Sequence, residues 1–239
     1  MDSLESELDR ARDLDESALA DAIETIGFEC TRCGACCKAE TACGDDSDSA
    51  ETDGDPHTAT VFPDEIRQLQ AAGDYDFRDV ARPMPYGISD GPDGPEGETF
   101  EWALQTDDCG DCTFYAEDDG TGACTVHGDR PLICRTYPFS IGSLANDSNS
   151  GLGTTEPMGS VVEQEGKVRA HECEGLGRDI SREDAEDLAK SLKERAVREL
   201  EEAIAVRDTY EPTDVDGVVV HDSEGQKRPD GTPLPSEHE

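Results

Sequence analysis

The sequence predicts an α+β fold, a small irregular domain with short strands and hairpins and a long C-terminal helix. Three observations predict it. Apolar residues make up 34% of the 239 and aromatics 5%, against 33% charged, so the core is thin for the length. Residues 181 to about 208 carry one helical apolar stripe, the clearest regular element in the chain. Ten cysteines, at 30, 33, 36, 37, 43, 109, 112, 124, 134 and 173, offer a means of holding a fold that so little apolar surface supports poorly.

The elements follow in chain order. Residues 1–27 read as helical, because Leu14, Leu19, Ile23 and Ile26 fall near helical spacing and Gly27 supplies a stop. Residues 44–60 form an acidic, turn-rich insertion in a cysteine-bearing domain that spans 28–180. Pro63 to Ala72 is a short helix: proline suits its first position, Asp64 and Glu65 complement the helix dipole, and Gly73 closes it. Residues 87–98 read as a flexible loop, and Thr99–Thr106 as a strand carrying the only tryptophan, Trp102.

A turn over Glu117–Gly122 separates Cys112 from Cys124, and residues 145–157 form a further loop. Met158 to Cys173 reads as a hairpin about Glu165-Gly166, with Val161-Val162 and Lys167-Val168 on its flanks. The helix over 181–210 packs on the domain through Ala185, Leu188, Leu192, Ala196, Leu200 and Ile204, and Ser181 with Asp184 forms an acidic relative of the capping box at its start. Residues 211–239, polar and rich in proline near the end, read as a flexible tail.

Charge excludes whole classes of partner. Fifty-eight acidic side chains against 20 basic give a net charge of -38, so nucleic acid and anionic membrane, both bound through clusters of Lys and Arg, are not expected partners. Acid excess along the whole chain, with 5 Lys against 15 Arg, is the composition of a halophilic protein, because at 1 M salt the screening length falls to about 3 Å. The alternative, a disordered acidic chain, conflicts with motifs that demand a fold. The start of the chain shows neither a basic n-region nor an apolar h-region, and no stretch reaches the ~20 apolar residues of a membrane span, so the expected compartment is the cytoplasm.

In that reducing compartment clustered cysteines point to metal rather than to disulfides. Cys30, Cys33, Cys36 and Cys37 spell CxxCxxCC, in which two-residue spacers let a tight turn aim successive thiolates at one point. Gly34 and Ala35 let the backbone wrap closely there. Cys37 must leave the backbone in another direction from Cys36 and is free to reach a second centre. A second block runs Cys112-Thr113-Phe114-Tyr115, then Cys124-Thr125-Val126-His127, then Arg130-Pro131-Leu132-Ile133-Cys134-Arg135-Thr136-Tyr137-Pro138-Phe139, with Cys173 in Glu172-Cys173-Glu174-Gly175.

On these residues the chain resembles the YkgJ-like CxxCxxCC proteins, a family of zinc- or iron-chelating domains, over about residues 28–176. The resemblance implies eight metal-ligating cysteines: Cys30, Cys33, Cys36, Cys37, Cys112, Cys124, Cys134 and Cys173. They divide into two four-thiolate sites, or into one with spare thiols. Cys43 and Cys109 have no counterpart in the family pattern, and His127 stands where the family has Tyr. Arg130 and Arg135 bracket Cys134 and are candidates for offsetting thiolate charge at the cofactor, with ordinary pairing to carboxylates as the alternative.

Zinc fits four thiolates without redox chemistry, and the CxxCxxC run with the remote Cys134 near Pro138 leaves an iron-sulfur cluster open. The expected function is metal binding by a cysteine-cluster module whose partner is the metal ion itself. The alternative is an iron-sulfur redox protein, or a metal-dependent enzyme related to flagellin lysine methylases, part of which the cysteine domain resembles.

Overall fold

The structure is a computed structural model that describes residues 3–39, 56–144, 155–213 and 215–235. Helices α1 (Leu4–Arg12) and α2 (Glu16–Ile26) divide the N-terminal segment, because Asp15 takes an extended conformation and caps α2 by accepting from the Ser17 and Ala18 amides at 2.9 and 3.3 Å. Gly27, at φ 75°, stops α2 as expected. After a short strand β1 (Thr60–Val61), α3 covers Pro63–Ala72, the bounds read from the sequence, with the Glu65 carboxylate accepting the Phe62 amide at 3.1 Å.

Then come α4 (Phe77–Val80), β2 (Ala81–Pro83), β3 (Ile88–Gly91), β4 (Gly94–Thr99) and β5 (Trp102–Leu104). The hairpin β6 (Tyr115–Asp118) and β7 (Thr121–Cys124) turns through Asp119 and Gly120, both at positive φ (48° and 75°), as a two-residue turn that matches strand twist requires. Next follow α5 (Leu132–Thr136), β8 (Phe139–Ile141), β9 (Val161–Glu165), β10 (Val168–His171), α6 (Arg182–Thr209), β11 (Val218–Asp222) and β12 (Gly225–Lys227). The mixture is α+β with a long helix near the C-terminal end. Among the described residues no helix is long and apolar enough to cross a membrane.

Two expectations differ from what is observed. Residues 87–98, read as a flexible loop, hold the β3–β4 hairpin, because β4 also pairs in parallel with β11 and gains from that partner the order its Gly and Pro content withholds. Residues 211–239, read as a flexible tail, supply β11 and β12, and Val219 and Val220 are buried. Most of the acidic insertion over 44–60 and of the loop over 145–157 lies outside the described residues.

The chain divides into two compact units. The first comprises 1–36, 115–124 and 132–204. Its antiparallel sheet runs β8-β10-β9, and Phe139, Ile141, Val168 and Ala170 pack with Leu19 and Ile23 of α2 and with Leu192 and Ala196 of α6. The predicted stripe of α6 is thus core: Ala185, Leu192, Ala196 and Leu200 are buried, and Leu188 and Ile204 lie against them. Arg195, on the same helix, is fully buried and held by Glu199 at 2.8 Å, by the Thr136 hydroxyl at 2.9 Å and by the carbonyls of Phe139 and Thr155.

The second unit comprises 37–114, 125–131 and 205–239. It holds the sheets β1-β5-β2 and β12-β11-β4-β3 and helices α3 and α4. Trp102 is buried at its centre, donating its indole N–H to Asp222 at 2.8 Å, while the Lys227 ammonium, 2.8 Å from the same carboxylate, balances the buried charge.

Candidate metal centre

In the first unit the approach to the cysteine loop is set by glycines. Phe28 bridges Leu176, the Glu29 amide donates to the Gly175 carbonyl at 3.0 Å, and the Gly177 amide donates to the Gly27 carbonyl at 3.0 Å. A Cβ on Gly175 would lie 3.1 Å from the Glu29 carbonyl carbon, so only glycine lets the two segments come this close. Their pairing lays Cys30, one residue beyond Glu29, alongside Cys173, two residues before Gly175.

From there the chain turns through Arg32, which has a left-handed backbone (φ 58°) and whose carbonyl accepts the Gly122 amide at 2.8 Å. Gly34, at φ 79°, lies under the Tyr115 ring: a Cβ there would stand 2.7 Å from Cε2. A short 3-10 turn then covers Ala35–Cys37. The β6–β7 hairpin therefore backs the loop, and Cys124 ends β7 directly across from Tyr115.

Three thiols of the loop act on a fourth here. The Cys173 thiol is half-buried and its pKa is raised, first by burial and then by the fields of Cys33, Cys36 and Cys30, while the Gly175 amide, donating to Sγ at 3.4 Å, opposes the rise. The Tyr137 phenol is likewise shifted up, first by burial and then by Cys173, Cys36 and Cys33. Cys173 thus lies within electrostatic reach of CxxCxxC. Among the described residues no three Cys, His, Asp or Glu side chains are drawn tightly enough to hold a metal ion as they stand.

Cys37 takes another path. It opens a segment of the second unit, where its carbonyl accepts the Cys112 amide at 2.8 Å. Cys112 is buried beside a loop in which Asp107 accepts the amides of Cys109 and Asp111 at 2.9 and 3.0 Å, and Asp111 in turn accepts the Ala39 amide at 2.8 Å. Cys109 is disulfide-bonded, unlike the eight cysteines of the family pattern, which carry thiols. Its oxidised state departs from the expectation of uniformly reduced cysteines, and Cys43 lies outside the described residues.

Cys124 and Cys134 are half-buried thiols of the first unit, Cys134 within α5. Arg135 donates to the Ser191 hydroxyl of α6 at 3.2 Å, and Arg130, in the second unit, donates to the His127 carbonyl at 3.1 Å. His57 is buried in the second unit with no hydrogen-bond partner at Nδ1 among the described residues, and His171 is buried in the first between the Ser140 hydroxyl at 2.9 Å and the Gly159 carbonyl at 3.0 Å. Tyr115 and Tyr137 border the thiols, yet their ring types alone carry no sequence signal for that role.

A thiol-rich α+β protein with four neighbouring cysteines on a glycine-shaped loop is, by donor chemistry, suited to a thiophilic metal. Residues 29–174, more than half of the chain, match the model of the CxxCxxCC family, described as "Putative zinc- or iron-chelating domain", and the chain belongs to that family. No curated protein and no solved structure matches it.

Proposed function

We propose that the protein is a metal-binding module in which Cys30, Cys33, Cys36 and Cys173 together hold one centre, zinc or an iron-sulfur cluster. The observation that carries this reading is the backbone pairing of Phe28 with Leu176 and of Glu29 with Gly175, which brings the segment leading into CxxCxxC beside the segment that carries Cys173. Four thiols so placed repel one another once ionised, and a bound cation reverses that repulsion by favouring the thiolates. The Gly175 amide directed at the Cys173 sulfur is the kind of N–H···S contact that steadies a ligand thiolate. Tetrathiolate zinc would supply folding energy that the thin core lacks, and a cluster would add one-electron chemistry.

The expected setting is the cytoplasm of a cell at high salt, in keeping with the net charge of -38. The metal stoichiometry decides the part of Cys37, Cys112, Cys124 and Cys134. The test is metal and sulfide analysis, with a visible spectrum, of protein purified without oxygen. One colourless zinc per chain assigns a single structural centre, brown protein with iron and sulfide assigns the cluster, and two metals per chain bring the other four cysteines in. Cys173→Ser protein with wild-type metal content and spectrum would sink the assignment.

A further inference from the structure

The second copy of a tyrosine at the thiol group does more than line it: we infer that Tyr137 is the positioning residue that delivers Cys173 to the other three thiols. The inference rests on the four-thiol reading above and deepens it. Two consecutive residues lead to Cys173, and three bonds to their backbones tie them down. The His171 amide donates to the Pro138 carbonyl at 2.9 Å, the Glu172 amide donates to the Ser160 carbonyl at 2.9 Å, and the Tyr137 hydroxyl donates to the Glu172 carbonyl at 2.5 Å.

The last bond closes the set at the residue next to Cys173, and the same phenol stands within the fields of Cys173, Cys36 and Cys33. One side chain therefore holds the residue next to the remote thiol and lies within electrostatic reach of the thiols it must join. Tyr137 is itself fixed from both sides, because the buried Arg195 guanidinium holds the Thr136 hydroxyl at 2.9 Å and the Phe139 carbonyl at 3.2 Å. Position of the fourth thiol is thus set from α6 through the Tyr137 segment, on one side of Cys173, as well as by the Glu29–Gly175 pairing on the other.

Tyr137→Phe removes only the hydroxyl. The ring stays, and the Glu172 carbonyl sits where water can reach it, so the fold survives the change. The experiment loads the full reduced chain with cobalt(II) as a probe for the tetrathiolate, then measures affinity by chelator competition and alkylates the loaded protein with iodoacetamide for mass mapping. Loss of an outer partner of this kind lowers metal affinity by about 10–100-fold.

The wild type should show a four-sulfur cobalt spectrum with Cys30, Cys33, Cys36 and Cys173 all protected. Tyr137→Phe should shift toward the three-sulfur spectrum of Cys173→Ser, with Cys173 the one of these four that becomes alkylated, and adding Tyr137→Phe to Cys173→Ser should cost nothing further. A wild type without a four-sulfur spectrum refutes the underlying site. A wild type that has one, beside a Tyr137→Phe variant whose Cys173 stays protected, refutes the positioning role, whatever its affinity.

Discussion

Gly34→Ala tests whether the cysteine loop is shaped by the ring above it. At φ 79° any residue but glycine pays the left-handed backbone cost of about 1–2 kcal/mol. The added methyl also meets Tyr115 at 2.7 Å from Cε2, so the ring must swing aside and release the bond from its hydroxyl to Glu117, 2.6 Å long, worth about 0.5–1 kcal/mol at a part-exposed site. Together the loss is about 1.5–3 kcal/mol, or roughly 3–12 °C in the melting temperature for a chain of this length. Urea denaturation of metal-free, reduced protein followed by far-UV circular dichroism measures it. In a Tyr115→Ala background the steric part is already gone, and Gly34→Ala should then cost only the backbone part, about 1–2 kcal/mol. A Gly34→Ala protein as stable as wild type, or an equal loss in both backgrounds, would refute the reasoning.

Three further outcomes are expected. Burial, then the neighbouring Arg82, holds the His57 pKa down at about 4 against an ordinary 6.5, so the unfolded chain takes up this proton first. Stability is therefore full above pH 6.5 and lost as pH falls toward 4, by about 3 kcal/mol at most, and His57→Gln should flatten that part of the profile. Arg195→Met strands the buried Glu199 carboxylate, whose pKa burial already raises, and should cost about 3–5 kcal/mol, read by thermal melting of the apo protein. Self-repulsion at a net charge of -38 should unfold the chain on dilution from molar to millimolar salt, and an unchanged circular dichroism spectrum across that range would count against a high-salt habitat.

What could be read from sequence was local. Pro63 and Gly73 announce α3 by their fixed and free backbones, and the stripe from Ala185 to Ile204 announces α6, because each signal lies within the element it predicts. The β3–β4 hairpin was hidden since residues 88–99 are dominated by Gly, Pro and acids, and the strand that orders them, β11, lies more than a hundred residues away. Val218-Val219-Val220 was a β-branched signal that a polar, proline-bearing context outweighed. At the thiols, the separate path of Cys37 follows from vicinal geometry. The choice of Cys173 as companion to CxxCxxC does not, because it depends on the pairing of Gly27 with Gly177 and of Glu29 with Gly175. Tyr137 and Arg195 act through backbone carbonyls, which have no residue type to recognise.

The burial of Trp102 has an optical consequence. It is the only tryptophan, it is edge-on to Phe77 with ring centroids 4.8 Å apart, and it lies in the second unit, whereas Cys30, Cys33, Cys36 and Cys173 lie in the first. Indole emission reports the packing around Asp222 and says nothing directly about the thiols, while sulfur-to-metal absorption reports the thiols and nothing of the indole. The two colours therefore follow two different halves of the chain. A denaturation followed in both channels measures whether they come apart at one midpoint or at two.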